Sequence, residues 1–256
     1  MILTVDIGNT TIALTGIERT GNDYNVIFTE KLSSDFSLSG FDDCQVFRIL
    51  ESIISNFNII EGVAMSSVVP KLTHPISNAI EHIIGISPKV ISTMSYNKIL
   101  KFAIPEPQKL GLDRIADSAW AASHYQLPVI TVDIGTAMTF NVISKGGVFL
   151  GGMIAAGLQT SVNALSDYAV QLPKFNIRQP DKLIGTNTTE CMLSGAIIGA
   201  AAMVDGITAR IQTELGMSVT LVLTGGGAKF VDPFCMYPHI LEPYMLAKGL
   251  AMTIND

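Results

Sequence analysis

The sequence predicts an α/β fold built from two halves of one design, each containing a mixed β-sheet. The first observation is a repeated phrase, because residues 3–14 read LTVDIGNTTIAL and residues 130–142 read ITVDIGTAMTFNV. Asp6 and Asp133 lie 133 − 6 = 127 residues apart, about half of the 256-residue chain. The second observation is that each copy opens a run of three β-rich segments, after which helical and extended patterns alternate. Repetition at this distance indicates two domains rather than a solenoid.

The first half predicts, in order, three strands, a helix, a strand, a helix and a strand. The opening run ILTVD is short, apolar and rich in β-formers, and the GNT that follows marks a turn. The first helix is indicated by apolar residues on one helical face, with Asp42 or Asp43 as its cap. The elements are expected at residues 2–6, 11–18, 24–30, 42–57, 62–70, 71–85 and 89–94.

The second half repeats the three strands and then predicts one long helix. Gly195 and Gly199 are four residues apart on that helix and so lie on one face. This arrangement is compatible with the close approach of another helix and equally with plain core packing. Its apolar run is shorter than the ~20 residues that a membrane span needs, so we expect a buried helix. The join between the halves is expected inside a helix near 111–125, giving domains 1–115 and 116–256. The other elements are expected at residues 128–133, 135–144, 148–154, 188–215 and 219–228.

The composition indicates a cytoplasmic homodimer. The chain is 48% apolar and 15% charged, well below the roughly 25% charged residues of an average globular chain, so extra surface is expected to be buried against a second copy. A net charge of −6 argues against a nucleic-acid surface. The sequence enters its first strand without a signal peptide, so no membrane is expected. Three distant cysteines, Cys44, Cys191 and Cys235, predict buried free thiols in a reducing compartment.

The repeated phrase has a chemical use. A carboxylate at a strand end, Asp6 or Asp133, holds a cation, and the cation neutralises phosphate oxygens. The glycine that follows lets the backbone approach an anion, and the hydroxyl of Thr10 or Thr136 adds a donor. A third glycine-rich loop, LTGGGA at 223–228, leaves room for a flat ligand such as a purine. For a single hairpin the plain alternative is a strand-end turn with a capping aspartate.

Two such hairpins followed by a glycine-rich loop resemble the superfamily of acetate kinases, sugar kinases, chaperones and actin. The resemblance implies an α/β fold of two duplicated RNase H-like domains, each with a mixed five-stranded sheet flanked by helices, and it implies ATP as a ligand. The P-loop signature G-x-x-x-x-G-K-[ST] does not occur in the sequence.

Five further segments narrow the resemblance to type III pantothenate kinases. They occur in the family's order over nearly the whole chain: SSVVP at 66–70, GLDR at 111–114, VDIGTAMTF at 132–140, GGMIAAGL at 151–158 and IGTNTTECMLSG at 184–195. The resemblance implies transfer of the γ-phosphoryl group of ATP to pantothenate, the entry step to coenzyme A. It also implies a homodimer that uses Mg²⁺ and a monovalent cation, K⁺ or NH₄⁺.

The resemblance also implies roles for individual residues. Asp113 matches the family's general base. Asp133 matches the ligand of the monovalent cation, and Asp6 is the candidate ligand for magnesium. The segments expected to bind pantothenate contain Gly111, Leu112, Asp113, Arg114 and Thr188. The segments expected to bind ATP contain Asp6, Ile7, Gly8, Asn9, Thr10, Thr11, Thr136, Gly225 and Gly226.

The residues taken alone leave alternatives open. Asp113 opens a helical pattern, where an aspartate also serves as a structural first-turn residue. Asp117 is expected to be an exposed helix residue, and Trp120 a core or interface residue. Ile104 stands where the family usually has a tyrosine, which keeps open another acceptor for the same phosphate machinery, in a kinase or phosphatase of this fold. A non-catalytic relative that uses the nucleotide as a regulatory switch is the third alternative.

Overall fold

The computed structural model describes residues 1–34, 43–55, 59–169 and 171–254, with the backbone alone at 43–46. The expected helix cap at Asp42 or Asp43 therefore lies outside the described side chains. The chain forms two compact units that are discontinuous in sequence. The first unit comprises Met1–Lys98, Glu106–Trp120 and Leu246–Asp256, and the second comprises Ile99–Pro105 and Ala121–Met245. The domain ranges 1–115 and 116–256 stay a prediction about the repeat.

The first unit is built on a five-stranded sheet. Its strands are β1 (Ile2–Ile7), β2 (Thr11–Thr20), β3 (Asp23–Ser33), β4 (Gly62–Ser67) and β5 (Lys89–Val90). They lie in the order β3-β2-β1-β4-β5. β1, β2 and β3 form an antiparallel meander, whereas β4 and β5 run parallel to β1. β1 is central and almost entirely buried, which fits its composition, since four of its six residues are apolar and four are β-branched.

Helices of the first unit bury their apolar faces against this sheet or against each other. They are α1 (Asp43–Ile54), α2 (Pro70–Ile84) and most of α3 (Leu112–His124) and α7 (Met245–Ala251). α2 begins with a proline, whose missing N–H costs nothing at a first turn, and it ends at Gly85 in the left-handed conformation. The core includes Leu3, Val5, Ile7, Leu14, Met65, Ile76 and Ile80.

α7 and α3 approach each other closely because α7 carries a glycine at the crossing. A Cβ atom on Gly249 would lie 2.4 Å from the carbonyl oxygen of Ala116. The Tyr96 hydroxyl donates a hydrogen bond to the Gly249 carbonyl, at 3.0 Å. Trp120 is buried and meets Tyr24 edge to face, with ring centroids 5.1 Å apart. The expected core position of Trp120 is therefore confirmed, and the helix that carries Asp113 is held firmly.

The second unit is built on a six-stranded sheet. Its strands are β6 (Lys101–Phe102), β7 (Val129–Ile134), β8 (Ala137–Ile143), β9 (Val148–Ala156), β10 (Thr220–Thr224) and β11 (Ile240–Leu241). They lie in the order β11-β10-β7-β8-β9-β6. β7, β8 and β9 form an antiparallel meander, and β10 and β11 run parallel to β7. Without β6, this order matches that of the first sheet strand for strand.

The second unit also contains α4 (Leu158–Tyr168), the long α5 (Thr188–Leu215) and the short α6 (Ala228–Val231). α5 has the predicted bounds. It begins where the side chain of Asn187 accepts the backbone N–H of Glu190, and it ends at Gly216 in the left-handed conformation. The core includes Ile130, Val132, Phe140, Leu193, Ile197, Val204 and Leu221.

α5 is long and apolar enough to cross a membrane by length and composition alone. The core helix of a soluble protein passes the same test, and Leu193, Ile197, Val204 and other residues of α5 are buried within the unit. The structure therefore fits the expectation of a buried helix. One face differs: Gly195 and Gly199 are exposed, and a Cβ atom at either would meet no atom within 4 Å. Packing within the described chain therefore does not require glycine at these two positions.

Four details differ from expectation. The second sheet has six strands rather than five, because the two residues of β6 pair in parallel with β9. The segment 89–94 is a strand only at its first two residues and turns into a short 3₁₀ helix at Thr93–Tyr96. Asp117 is buried rather than exposed, since α3 turns that face inward. Among the described cysteines, both are free, but Cys191 is exposed rather than buried.

Candidate active site

The first hairpin places Asp6 at the carboxyl end of a central strand. Asp6 lies opposite Ala13 on β2 and opposite Ser66 on the parallel strand β4. The turn is closed by the Gly8 N–H, which donates to the Thr11 carbonyl at 2.9 Å. It is tied to the end of β3 by the Ser34 hydroxyl, which donates to the Gly8 carbonyl at 2.6 Å. The Asp6 carboxylate thus lies at the base of a turn that these hydrogen bonds hold in place. The residues at the tip of the turn, Asn9 and Thr10, are exposed.

Those exposed residues are the ones expected to contact phosphate. Asn9 and Thr10 are exposed, and Gly8 and Thr11 are half-buried. A Cβ atom on Gly8 would lie 3.1 Å from the Thr11 carbonyl, so a larger residue would crowd the turn. The tip of the hairpin is therefore accessible to a ligand, and a tight turn of this kind is a suitable surface for an anion.

Asp6 is electrostatically coupled to Asp113. Burial, and secondarily the negative charge of Asp113, raise the pKa of the Asp6 carboxyl to about 7, while the hydroxyl of Ser66 opposes the shift. β1 and α3 therefore bring two predicted site carboxylates close together within the first unit. A pair of like charges beside a buried strand end is an arrangement that a bound cation would relieve. The residues present thus fit a divalent cation at Asp6.

The segment GLDR forms the first turn of α3. The backbone N–H of Arg114 donates to the Asp113 carboxylate at 2.8 Å. A Cβ atom on Gly111 would lie 2.4 Å from that carboxylate, so the glycine makes room for the observed rotamer. Arg114 is half-buried; desolvation lowers the pKa of its guanidinium, and the charge of Asp113 opposes that change. Asp113 thus has both a local helix contact and an electrostatic link to Asp6.

The second hairpin repeats the arrangement in the second unit. Asp133 lies opposite Thr139 on β8 and opposite Thr224 on the parallel strand β10. Thr136 lies at the tip of the turn and is exposed. Its backbone carbonyl accepts hydrogen bonds from the Gly157 N–H, at 3.0 Å, and from the Thr160 hydroxyl, at 2.7 Å. The turn backbone is thereby fastened to the start of α4, and the Thr136 side chain is left exposed.

The glycine-rich loop packs directly on the end of β7. Gly225 has φ +87°, and a Cβ atom there would lie 2.1 Å from Asp133 Oδ1. The Gly227 N–H donates to the Ile134 carbonyl at 2.8 Å. Gly226, between them, is exposed. The structure therefore brings Asp133 and the glycine-rich loop together at the end of β7.

Two hydroxyl residues were not singled out as site residues by the sequence. Ser66 lies beside Asp6, and Thr224 lies beside Asp133, at equivalent places in the two sheets. The signal was available in principle, because each hydroxyl ends a buried strand, but its use required the parallel pairing of β1 with β4 and of β7 with β10. The repeat thus extends to a neighbour of each carboxylate.

Thr188, the predicted pantothenate contact, is the first residue of α5 and is exposed. It lines a cavity of about 520 Å³ together with Cys191, Gly195, Gly199 and other residues of α4, α5 and β8. Most of that lining is apolar. Within the part of the chain that the structure describes, no three His, Cys, Asp or Glu side chains form a group that could hold a metal ion. Any cation at Asp6 or Asp133 would therefore need ligands from backbone, hydroxyls or substrate.

Comparison with known proteins now decides the family. A family model described as type III pantothenate kinase matches residues 2–210. The chain belongs to the type III pantothenate kinase family.

Three relatives named as type III pantothenate kinases are each 34% identical to the chain. They come from Sulfurihydrogenibium sp. (strain YO3AOP1), Finegoldia magna and Moorella thermoacetica. The alignments cover 98%, 100% and 99% of this chain and 98%, 97% and 98% of the relatives, in that order. The similarity is therefore to whole members of the family and not to a single shared domain.

Solved structures that resemble the chain show its fold. A Campylobacter jejuni protein named as a Baf family transcriptional activator superposes with a TM-score of 0.57 at 20% identity, covering 98% of this chain and 96% of the other. The ethanolamine utilization protein EutJ from Carboxydothermus hydrogenoformans gives 0.55 at 13% identity, covering 98% and 89%. At such identities only the fold is informative. It is the actin-like ATPase fold, and the expected fold class of two mixed sheets flanked by helices is confirmed.

Kinases of this family use ATP and a divalent metal ion. The electrostatics of the first unit match that requirement, since Asp6 is a half-buried carboxylate next to a second one.

The Asp6 carboxylate is expected to destabilise the metal-free protein above neutral pH. The folded state holds the Asp6 proton up to a pKa of about 7, whereas an unfolded aspartate releases it near 3.9. The free energy of unfolding should therefore fall as pH rises from about 4 to about 7. Asp6→Asn removes this penalty, so at pH 8 in EDTA the variant should be more stable than wild type, by up to about 4 kcal/mol.

Urea unfolding between pH 5 and pH 8 measures this difference. Asp23→Asn, at an exposed turn, serves as the control and should leave the pH profile unchanged. A stability gap between wild type and Asp6→Asn that is the same at pH 5 and pH 8 would contradict the assignment.

Proposed function

We propose that this chain transfers the γ-phosphoryl group of ATP to the primary hydroxyl of pantothenate, giving 4′-phosphopantothenate in the first step of coenzyme A biosynthesis. The observation that carries the proposal is the pair of equivalent strand ends, each with a carboxylate, a hydroxyl neighbour and a glycine-bounded turn. Phosphoryl transfer requires positioning and charge neutralisation more than covalent chemistry. Family membership supports pantothenate as the acceptor.

The first hairpin is proposed to bind the phosphates of ATP. The hairpin has an exposed tip at Asn9 and Thr10. It comprises the end of β1, the turn and the first residue of β2, that is, Asp6, Ile7, Gly8, Asn9, Thr10 and Thr11. Asp6 would hold Mg²⁺, which when bound offsets negative charge on the phosphate oxygens. The Thr10 hydroxyl and the turn N–H groups would donate to the same oxygens. Thr136, Gly225 and Gly226 are proposed as the ATP contacts of the second unit.

Asp113 is proposed as the general base, with Gly111, Leu112, Arg114 and Thr188 as pantothenate contacts. Its carboxylate is held in place by the Arg114 N–H and has accepting capacity left for the substrate hydroxyl. It would orient that hydroxyl and accept its proton late, because the nucleophile carries little charge in a loose transition state. The half-buried Arg114 guanidinium is suited to the carboxylate of pantothenate.

Asp133 is proposed to hold a monovalent cation, K⁺ or NH₄⁺. Its carboxylate oxygen lies against the backbone of Gly225 and beside Thr224 on β10. One carboxylate with surrounding backbone and hydroxyl oxygens supplies a single negative charge, which suits an ion of low charge. A cation here would complement the phosphate groups bound by the glycine-rich loop.

A homodimer is proposed, with the second copy covering the exposed face of α5. Gly195 and Gly199 are exposed although nothing in the described chain fills the space beside them. Two glycines inside a helix cost roughly 1 kcal/mol each relative to alanine, so a reason for them outside the protomer is expected. The adjoining apolar cavity and exposed Ile154, Leu165 and Met203 extend the same surface.

The proposed location is the cytoplasm, which suits a small-molecule kinase with free thiols. Two other functions would use the same proposed phosphate-binding residues: a kinase or phosphatase with another acceptor, and a non-catalytic regulator that binds nucleotide. The Asp6–Asp113 pair favours catalysis, because a nucleotide switch needs no acceptor base. ATP consumption measured with and without pantothenate separates the three functions.

ATP should be consumed only when pantothenate is present, and Asp113→Asn should lower kcat about 10²- to 10³-fold. This is the lower part of the range for a general base, because the transition state is loose. The melting temperature should hardly change, since asparagine can still accept the Arg114 N–H. Glu106→Gln, an exposed change just before the same segment, is the matched control. Turnover without pantothenate would refute the function, and normal turnover by Asp113→Asn would remove it from the base role.

Activity should require potassium or ammonium, and Asp133→Ala should abolish activity or weaken that requirement. The reason is that the variant removes the only charged ligand proposed for the ion. Initial rates are compared in potassium, ammonium, sodium-only and Tris-only buffers at equal ionic strength. Full activity of the wild type without potassium or ammonium would count against the site.

The purified protein should have about twice the 27.4 kDa mass of one chain in light scattering at micromolar concentration. Gly199→Leu should shift it toward monomer without lowering the melting temperature of the protomer, because the space beside Gly199 is open. Glu214→Leu, at the exposed end of the same helix, places the same side chain away from the two glycines and should leave the mass unchanged. A wild-type mass near that of one chain would refute the dimer.

A further inference from the structure

The loop before α5 is fastened to the helix by a single carboxylate. Glu190 is the third residue of α5, where a capping-box glutamate normally accepts the N–H of the cap residue. Here its Oε2 instead accepts the backbone N–H of Thr186, at 2.7 Å, and the Thr186 hydroxyl, at 2.8 Å. Separately, the side chain of the cap residue Asn187 accepts the backbone N–H of Glu190, at 3.0 Å. The carboxylate thus fixes a residue that lies outside the helix.

Lys182 completes this cluster from the other end of the loop. Its Nζ lies 3.0 Å from Glu190 Oε2 and 2.9 Å from the Thr186 hydroxyl. The N–H of Thr186, followed by Lys182 and the Thr186 hydroxyl, lowers the pKa of the Glu190 carboxyl to about 2. The carboxylate is therefore charged at any pH where the enzyme would work, and it meets three donors at once.

The loop backbone also lies directly on the first turns of α5. A Cβ atom on Gly185 would be 2.4 Å from the backbone nitrogen of Cys191, and the Gly185 carbonyl accepts the Cys191 thiol at 3.4 Å. Farther back, the Leu183 carbonyl accepts the hydroxyl of Ser194. Residues 182–187 are therefore held along their length, with Glu190 at the point where the chain enters the helix.

The residue presented at that point is Thr188. It follows the cap residue directly, is exposed, and lines the cavity beside Cys191. We propose that Glu190, together with Lys182, is a positioning residue that fixes the entry to α5 and so sets the place of the Thr188 hydroxyl for the acceptor substrate. This inference rests on the proposed function of Thr188 as a pantothenate contact. The Glu190 carboxylate acts through its contacts with Thr186 and Lys182.

Glu190→Gln tests the inference, because glutamine keeps the size of the side chain and removes its charge. The KM for pantothenate should rise roughly three- to tenfold, the effect of weakening one hydrogen bond to the substrate. The KM for ATP and kcat should change little. Glu214→Gln in the last turns of the same helix is the matched control and should leave all three constants unchanged. A purely structural capping role would lower the melting temperature without separating the two KM values.

A double-mutant cycle makes the test specific. If Glu190 acts through Thr188, then Thr188→Ala should raise the KM for pantothenate, and adding Glu190→Gln should raise it no further. Lys182→Met removes two contacts and leaves the helix cap intact, so it should give a smaller rise in the same direction even if Glu190→Gln folds poorly. Additive effects in the cycle, or an unchanged KM in Glu190→Gln and Lys182→Met, would overturn the inference.

The same measurements separate this inference from the proposed function. A wild-type protein without pantothenate-dependent turnover overturns the function, and the inference with it. An active wild type whose Thr188→Ala variant is normal overturns the assignment of Thr188 and its positioning. An active wild type with an impaired Thr188→Ala and a normal Glu190→Gln overturns the positioning alone.

Discussion

Each sheet has one carboxylate, Asp6 or Asp133, at the carboxyl end of its central strand, and the neighbouring turns and strands are arranged around that carboxylate. Burying an ionised carboxylate costs free energy unless a cation or hydrogen-bond donors offset it. For Asp6 that cost is visible as a pKa raised to about 7, with one hydroxyl, that of Ser66, acting against it. The apolar residues packed around β1 contribute stability that offsets the free-energy cost of this charge. The folded state is therefore least stable when no cation is bound at this strand end. That property is expected of a binding site rather than of a structural turn.

Glycines allow the backbone to come close to those carboxylates and to the turns beside them. At Gly225, Gly157 and Gly111 an added Cβ atom would lie 2.1, 2.0 and 2.4 Å from the nearest atom, distances that side chains do not reach without a shift. The neighbouring atom is a site carboxylate at Gly225 and Gly111 and the turn carbonyl of Gly135 at Gly157. These glycines therefore fix the shape of the site through close contact, and only Gly225 also needs a positive φ.

The sequence predicted those elements and site residues for which a local pattern has one clear physical meaning. The strand ends were found because buried runs stop at Asp-Ile-Gly, and α5 because a long apolar run lies between Glu190 and Asp205. β6 and β11 were missed because two residues carry no period, and α4 because its polar and apolar residues gave no clear pattern. The burial of Asp117 and the neighbours Ser66 and Thr224 depend on tertiary pairing. Local patterns do not report which strands are adjacent.

The two halves differ in what packs beside the shared carboxylate. In the first, α3 brings a second carboxylate, Asp113, to Asp6. In the second, the glycine-rich loop brings the backbone of Gly225 to Asp133. The turn is also shorter: four residues separate the paired Ile7 and Ile12, but three separate Ile134 and Met138. A second carboxylate beside Asp6 suits the doubly charged ion proposed there, and a close backbone approach beside Asp133 suits the singly charged ion proposed there, so the same hairpin can serve two cations through the element that packs on its end.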